Sequence, residues 1–182
     1  YASEKLQIND PSASEQWAFF NDGSFTSEEI TKYPVYSDPF GQPSENAERL
    51  GTLVEVKKRQ AVSGVDINLK QAWETYGNGS HDTIVAMIDT GIDDTHEDLK
   101  DTLWVNTDEI PGNGIDDDGN GYVDDRYGWN FYNNNNQIFT GNEDSHGTHG
   151  AGTISAGTGN GIGISGIVPG NRVRVMALKA LG

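Results

Sequence analysis

The residues from Thr83 to Asp89 are apolar almost throughout, and the run ends in a carboxylate. This pattern predicts a β-strand covered on both faces, as expected for a parallel strand in an α/β protein. Gly91 follows closely and lets the backbone turn away sharply. A carboxylate at such a position is costly to bury alone, so Asp89 must meet a cation, hydrogen-bond donors or a solvated cleft.

Helical and strand patterns alternate around this strand. Apolar residues within 67–76 fall mostly on one helical face, and Gly77 marks a stop. A helical run covers 146–155, and alternating apolar residues at 172–178 predict another strand. This alternation predicts a doubly wound, mostly parallel α/β sheet flanked by helices. Sites in such sheets form beyond the carboxyl ends of the strands, which is where Asp89 falls.

His146 stands at the start of a helix that is rich in small residues, within the segment 144–153. Three glycines in this segment lower helix propensity by up to about 1 kcal/mol each, so we expect close packing against another backbone. Serine-dependent acyl transfer needs a base and a carboxylate that orients it. We assign these roles to His146 and Asp89. No Gly-x-Ser-x-Gly or similar segment that would present the nucleophile occurs in the 182 residues.

The two segments resemble the aspartate and histidine signatures of the subtilisin-like serine peptidases, whose triad runs Asp, His, Ser along the chain. A His-x-Asp-Leu element at 96–99 also follows the aspartate, as in that family. Two departures concern packing: Gly150, where these peptidases more often carry valine, and Glu97, where proline is frequent. The resemblance is strong over 64–182 and weak over 9–23. It implies that 64–182 form the N-terminal half of a subtilisin-like catalytic domain.

The first 63 residues show no sustained helical or strand period, and Pro, Ser, Asn and acidic residues interrupt their apolar patches. We therefore predict mostly loop. Residues 1–63 would form an N-terminal extension of the catalytic domain, with a loop-rich insertion at about 24–63. Within that insertion the sequence predicts a turn at Ser37–Pro39 and a short strand at Leu53–Val56.

A dense acidic segment at 115–125 predicts a calcium loop. Oxygen side chains fall at positions 1, 3, 5 and 9 of an EF-hand-type loop, and a backbone carbonyl falls at position 7. The candidate ligands are Asp116, Asp118, Asn120, Asp124 and the carbonyl of Tyr122. A bound Ca²⁺ would offset the mutual repulsion of the aspartates. The closing position holds Tyr127 instead of glutamate, so a solvated acidic loop stays open as an alternative.

The family resemblance implies two further sets of residues. A second calcium site would be formed by Gln16, Asp98, Asn160 and the carbonyls of Ile162 and Ile164. In the resembled fold, Leu181 and Gly182 lie at the edge of a strand that lines the substrate cleft, so both are candidate substrate-binding residues.

Composition narrows the range of partners. The chain has 28 acidic and 12 basic residues, a net charge of −16, which argues against nucleic acid or an anionic membrane and favours cations. The absence of cysteine excludes disulfides and thiol catalysis. No apolar run approaches the roughly 20 residues that span a bilayer. The start at Tyr1, which lacks a signal-peptide pattern, predicts a processing site or an expression boundary.

Together these observations predict a secreted or cell-surface, calcium-stabilised and proteolytically processed serine endopeptidase. This chain would supply Asp89 and His146. The serine and the oxyanion-hole asparagine would come from a second polypeptide, most simply the C-terminal half of the same precursor after a cut near Gly182. Its substrates would be proteins or peptides.

Three other interpretations stay open. A catalytically inactive relative would use the same fold as a calcium-dependent binding or regulatory module, and a purely structural calcium-loop protein would use neither Asp89 nor His146. A metal site of Asp89, His146 and His149 is disfavoured, because it lacks the spacing and the glutamate of helical zinc-peptidase motifs. We expect His149 instead to be a buried, hydrogen-bonded residue of the helix.

Overall fold

The computed structural model describes residues 8–16, 18–19, 21–36 and 49–182. These residues form a two-stranded antiparallel hairpin and a separate three-stranded parallel sheet. In chain order the elements are β1 (Thr26–Tyr36), β2 (Arg49–Gln60), α1 (Leu69–Tyr76), β3 (Thr83–Asp89), β4 (Gly128–Asn130), α2 (Ser145–Ser155) and β5 (Val173–Lys179), with short 3₁₀ turns at Ala13–Glu15 and Asn142–Asp144. The predicted α/β class, with a parallel sheet and helices, is confirmed.

β5 is the central strand of the parallel sheet, with β3 on one side and β4 on the other. The register pairs Thr83 with Val173 and Asp89 with Lys179, so β3 and β5 end at the same level. Buried and half-buried residues alternate along β5, and Val175 is fully buried. The register therefore brings Asp89 to the carboxyl edge of the sheet, where sites in α/β proteins form.

Helix α2 packs on one face of the parallel sheet and closes the hydrophobic core there. Ala151 of α2 and Val175 and Ala177 of β5 are fully buried, and Ile92 and Leu99 from the connection after β3 pack beside them. The core thus lies directly behind the edge that carries Asp89.

The opposite face of β3 is open to solvent in the described part of the chain. Ile84 and Ile88 of β3 are 55% and 70% exposed. The sequence predicted cover on both faces of β3, and the structure provides it on one. Apolar side chains of a parallel strand require cover on both sides, and residues 8–16, 18–19, 21–36 and 49–182 supply only one layer.

The segment 24–63 contains the long hairpin β1–β2, so the prediction of mostly loop was wrong. The two strands pair antiparallel along their length. Ion pairs between Glu28 and Lys58 (3.0 Å) and between Glu29 and Arg59 (3.1 Å) cross from one strand to the other. The alternation was weak in the sequence because charged and apolar side chains occur on both faces of the ribbon.

The short strand predicted at Leu53–Val56 lies within β2, whereas the turn predicted at Ser37–Pro39 lies outside the described residues. Among the described residues, no other helix or strand packs on the hairpin. Within the described part of the chain, the hairpin is therefore a self-paired arm.

Helix α1 ends where the sequence predicted. The backbone N–H of Gly77 donates to the carbonyl of Trp73 and closes the last turn. Leu69 is buried and Tyr76 lies on the surface. None of the described helices combines the length and the apolar composition needed to cross a lipid bilayer.

Candidate active site

Asp89 and His146 meet at the carboxyl edge of the parallel sheet. Nδ1 of His146 lies 2.8 Å from Oδ1 and 3.0 Å from Oδ2 of Asp89. The aspartate side chain is 15% exposed and the imidazole 80% exposed. Among the described residues, no hydrogen-bond partner reaches Nε2 of His146, so this nitrogen is open to an incoming group.

The surroundings of Asp89 keep its carboxyl group ionised. Partial burial acts to raise its pKa, but hydrogen bonds from the Thr90 N–H and from His146, together with the histidine charge, outweigh burial. The pKa of Asp89 therefore lies below its ordinary value of 3.8. An ionised Asp89 accepts a hydrogen bond from Nδ1–H of His146 and leaves Nε2 as a proton acceptor, which is the tautomer that a general base requires.

Glycine residues allow α2, the helix that carries His146, to lie this close to the loop after Asp89 (residues 90–91), here called the aspartate loop. A Cβ atom on Gly147 would lie 2.1 Å from the carbonyl oxygen of Gly91, and a Cβ on Gly91 would lie 2.4 Å from the carbonyl oxygen of Ile138. Gly91 also has a φ of 128°, which L side chains rarely adopt. The N–H of Gly147 donates to the hydroxyl of Thr90 at 3.1 Å and fixes the contact.

The other two glycines of α2 have different neighbours. A Cβ on Gly150 would lie 2.4 Å from Cε of Met87, the flexible end of a side chain. A Cβ on Gly152 would meet only Cδ1 of Ile164, at an ordinary 3.6 Å. The expected packing against backbone is therefore found at Gly147, whereas Gly152 has room for a methyl group.

His149 is exposed, so its interpretation as a buried residue was wrong. Three residues beyond His146, it lies on a helix face that the sheet does not cover. The one group of three metal-ligating side chains found among the described residues is in the acidic segment and contains neither His146 nor His149. The structure therefore does not form the disfavoured Asp89–His146–His149 metal site.

Lys179 and Asp144 form a buried ion pair next to the Asp89–His146 pair, and the sequence analysis did not identify it. Nζ of Lys179 lies 2.6 Å from Oδ1 of Asp144, and both side chains are shielded from water. Burial acts to raise the pKa of Asp144, but hydrogen bonds from Lys179 and Thr140 outweigh it and lower the pKa below its ordinary value. The sequence signal that could have indicated this pair is the lysine that directly follows the predicted strand at 172–178. In the structure this lysine pairs in register with Asp89.

Leu181 and Gly182, the predicted substrate-binding residues, lie beside the Asp–His pair. The N–H groups of Ala180 and Leu181 donate to the carbonyl of Asp89 at 2.9 and 3.2 Å. Leu181 and Gly182 are exposed, and the ring of Tyr132 packs against Gly182. Their position therefore allows contact with a peptide bound at the same edge.

Three carboxylates converge in the acidic segment, from Glu109, Asp118 and Asp125. One ligand oxygen from each lies within 4.8 Å of the others, and Glu109 and Asp125 are buried. Asn106 donates to Asp118 at 3.0 Å and to Asp125 at 2.7 Å. An all-oxygen set with three negative charges fits Ca²⁺, a hard cation.

Of the predicted loop ligands, Asp118 belongs to this cluster, and the amide of Asn120 donates to it at 3.0 Å. Asp116 instead accepts backbone N–H groups of the same turn. Asp124 accepts three backbone N–H groups from residues 112–114. The ring of Tyr122 packs 5.0 Å from the ring of Trp129. Sequence reasoning missed Glu109 and Asp125, because it followed an EF-hand spacing that the loop does not complete.

The residues implied for a second calcium site surround the glycine-rich loop after α2. Both amide atoms of Gln16 bond the backbone of Ser165 at 2.8 Å. Asp98 accepts hydrogen bonds from the amide of Asn160 at 2.9 Å and from the N–H of Ile164 at 3.1 Å. The N–H of Ile162 donates to the side chain of Asn160. Asp10, a buried carboxylate missed from the sequence, accepts N–H groups of the same loop.

A parallel α/β sheet with an Asp–His pair at its carboxyl edge is the arrangement expected from the resemblance to the subtilisin-like serine peptidases. Residues 80–181, more than half of the chain, match the sequence profile of the Subtilase family. The chain belongs to this family.

Relatives with established names agree with this assignment. Subtilisin-like protease 1 of Plasmodium vivax is 50% identical over 86 residues, 47% of this chain and 13% of that protein. The protein of the same name from Plasmodium berghei (strain Anka) is 42% identical over 97 residues, 53% of this chain and 16% of that protein. The halolysin-like extracellular serine protease Nep of Natrialba magadii is 29% identical over 117 residues, 64% of this chain and 18% of that protein. The chain therefore spans less than a fifth of the length of each.

Proposed function

We propose that this chain contributes a general base, His146, and its orienting carboxylate, Asp89, to a serine endopeptidase that hydrolyses peptide bonds in proteins. The observation that carries the proposal is the 2.8 Å contact between Nδ1 of His146 and Asp89, with the imidazole otherwise open to solvent. Membership of the Subtilase family supports the type of reaction.

Proton transfer at Nε2 of His146 is the chemical step assigned to this chain. The nitrogen takes the proton of a serine hydroxyl as the oxygen attacks the scissile carbonyl, and it later gives that proton to the leaving amine. Asp89 holds the proton on Nδ1 and stabilises the imidazolium that forms between these events. The bound peptide would lie along Leu181 and Gly182.

The nucleophilic serine and the oxyanion-hole asparagine are proposed to come from residues outside this sequence, most simply from the remainder of the same precursor. The open face of β3 supports this proposal, because Ile84 and Ile88 offer an apolar surface for further chain to cover. The lengths of the relatives support it too, since this chain spans less than a fifth of each.

Calcium is proposed as the resident cofactor of the cluster Glu109, Asp118 and Asp125, with a second ion near Asp98 and Gln16. The ion supplies positive charge that offsets carboxylate repulsion and fixes the loop. A secreted location is proposed as well, and the extracellular halolysin-like relative supports it.

A fluorophosphonate probe tests the proposal, because it reacts with an activated serine. The native protein is expected to hydrolyse a denatured protein substrate and to be labelled at a serine outside this sequence. His146→Ala should lower turnover by a factor on the order of 10⁶, the loss known for the equivalent change in subtilisin. His149→Ala is the matched control, since His149 is exposed on the same helix, and it should retain activity and labelling.

Wild-type turnover in the His146→Ala variant would contradict the assignment. Failure of the native protein to label at any calcium concentration would instead support a catalytically inactive relative that acts as a calcium-dependent binding module.

A further inference from the structure

A buried lysine joins three segments that meet at the candidate active site. The ammonium of Lys179, at the end of β5, lies 2.6 Å from Oδ1 of Asp144. It also donates to the carbonyl oxygens of Thr90 and Leu181. The side chains of Lys179 and Asp144 are 1% and 0% exposed, so water does not compete for these contacts.

Each acceptor of this ammonium belongs to a different part of the site. Thr90 directly follows Asp89, and its hydroxyl accepts the N–H of Gly147 at 3.1 Å. Asp144 immediately precedes α2 and lies two residues before His146. The third acceptor, the carbonyl of Leu181, lies in the segment after β5 that is predicted to line the substrate cleft. The lysine thus contacts the aspartate loop, the start of the histidine helix and the substrate segment at one point.

We propose that Lys179 is a positioning residue: its ammonium sets the placement of the Asp89 loop relative to the His146 helix and ties both to the segment that carries Leu181. This inference rests on the proposed function, since such positioning affects catalysis only where Asp89 and His146 act on a substrate. The three N–H donors of the ammonium match the three acceptors, so each donor has a fixed direction.

Stability alone does not account for this arrangement. Replacing a buried ion pair by uncharged residues of similar volume is often neutral or stabilising, whereas removing one partner leaves a costly unpaired charge. The distinctive contribution of Lys179 and Asp144 is therefore geometric. Because a displacement of about 1 Å in a catalytic group lowers the rate by about 100-fold, loss of this geometry should appear in kcat.

The double variant Lys179→Met/Asp144→Asn separates positioning from stability, because it leaves neither charge unpaired. Lys179→Met alone buries an unpaired carboxylate and is expected to lower the melting temperature, and the second substitution is expected to restore it. If Lys179 positions the pair, kcat of the double variant stays about 100-fold below wild type. The proton NMR signal of the His146 Nδ1–H, which reports the hydrogen bond to Asp89, should broaden or disappear.

The matched control is Arg172→Met/Asp82→Asn. These residues form an ion pair of the same signs, at 2.9 Å, at the opposite end of β3 and β5. Their removal should leave kcat and the imidazole signal unchanged.

Recovery of both the melting temperature and kcat in the double variant would overturn the proposal. If the double variant does not fold, Asp144→Asn alone decides, because it keeps Lys179 and most of the shape of the acceptor. Reduced kcat with a shifted imidazole signal supports positioning, and wild-type kcat with an unshifted signal overturns it. The NMR readout needs no substrate, so it tests the role of Lys179 even if the native protein neither labels nor hydrolyses, an outcome that defeats the proposed function alone.

Discussion

The placement of His146 depends on two nearby glycines, Gly147 and Gly91, which have no Cβ atom. Gly147 and Gly91 face each other so closely that a methyl group on Gly147 would overlap the carbonyl oxygen of Gly91 at 2.1 Å. Backbone cannot move aside as the end of a long side chain can. The hydrogen bond between Asp89 and His146 is therefore set by the absence of a side chain next to the histidine.

Alanine at two positions of α2 should have opposite effects. Gly147→Ala forces the helix away from the aspartate loop and is expected to destabilise the protein by about 3 kcal/mol and to reduce activity strongly. Gly152→Ala meets only ordinary contact, so the gain in helix propensity should stabilise the protein by up to about 1 kcal/mol. Urea denaturation with a turnover assay measures both. Equal effects of the two substitutions would contradict the structure.

The lowered pKa of Asp89 predicts how its contribution to stability depends on pH. The folded protein holds this proton less tightly than the unfolded chain, so the contribution is complete above the ordinary value of 3.8 and is lost as pH falls through the lower folded-state pKa. The difference in unfolding free energy between wild type and Asp89→Asn should therefore shrink as pH falls below about 4.

Asp82→Asn provides the control for that titration. Asp82 is mostly exposed in its pair with Arg172, and such pairs contribute little to stability. A difference between wild type and Asp89→Asn that grew as pH fell below about 4 would contradict the assigned direction of the pKa shift.

At the scale of elements, the hairpin β1–β2 is an addition on which no other helix or strand of the described residues packs. Its two ends meet, since a Cβ on Gly23 would lie 3.0 Å from the backbone nitrogen of Ser63. Asn21 holds the junction by accepting the N–H of Gly64 at 2.8 Å on its carbonyl oxygen and by donating its amide to the carbonyl of Val65 at 3.0 Å. The junction is thus anchored largely by residues outside the arm.

Excision of the arm should leave the body intact. Replacing residues 24–62 by two glycines is expected to shift the melting temperature by less than about 3 °C, which is roughly 1 kcal/mol for a protein of this size. Turnover on a short peptide should also be unchanged. Tyr33→Ser within the arm serves as the control and should have no effect on either quantity. A large drop after excision would show that the arm packs on part of the protein.

The elements predicted well from the sequence are those whose pattern reflects local burial. β3 has the predicted bounds, α2 begins one residue earlier than predicted, and β5 begins and ends one residue later than predicted. The hairpin was missed because its pairing joins segments up to 34 residues apart, from Thr26 to Gln60, and neither face is uniformly apolar. Its stability comes from cross-strand contacts that no short window of sequence displays.

The residues of the candidate site likewise fall into those that a short motif predicts and those that depend on distant partners. The roles of Asp89 and His146 were suggested by short motifs, and the structure places them together. Lys179, Asp144 and Glu109 were not identified, because each acquires its significance from a partner that is distant in sequence or outside the expected ligand spacing.

At the scale of the whole molecule, charge is unevenly distributed. Strands β1 and β2 hold five of the 12 basic residues against three acidic ones, so they carry a charge of +2 and the remainder of the chain carries −18, for a net charge of −16. Two buried carboxylates of the cluster around Asp118 add a local cost to this general repulsion. Bound cations, as proposed for the calcium sites, would offset both effects.

Removal of calcium should therefore lower stability in a way that identifies the ligands. EGTA is expected to lower the melting temperature of the native protein by several degrees. Asp125→Asn should abolish most of this calcium-dependent difference, because Asp125 belongs to the carboxylate cluster. Asp124→Asn should retain it, because Asp124 binds backbone N–H groups of residues 112–114. Loss of the calcium-dependent difference in Asp124→Asn but not in Asp125→Asn would favour the EF-hand-like ligand set. A melting temperature that EGTA does not change would contradict both proposed calcium sites.

The uncovered ridge of Ile84 and Ile88 has a practical consequence for handling the protein. Exposed isoleucines on one face of a strand bind other apolar surfaces, including the same face of a second molecule. Recombinant material limited to these 182 residues is therefore expected to clump on concentration and to co-purify with chaperones. Mild detergent, or serine at both positions, should keep it dispersed.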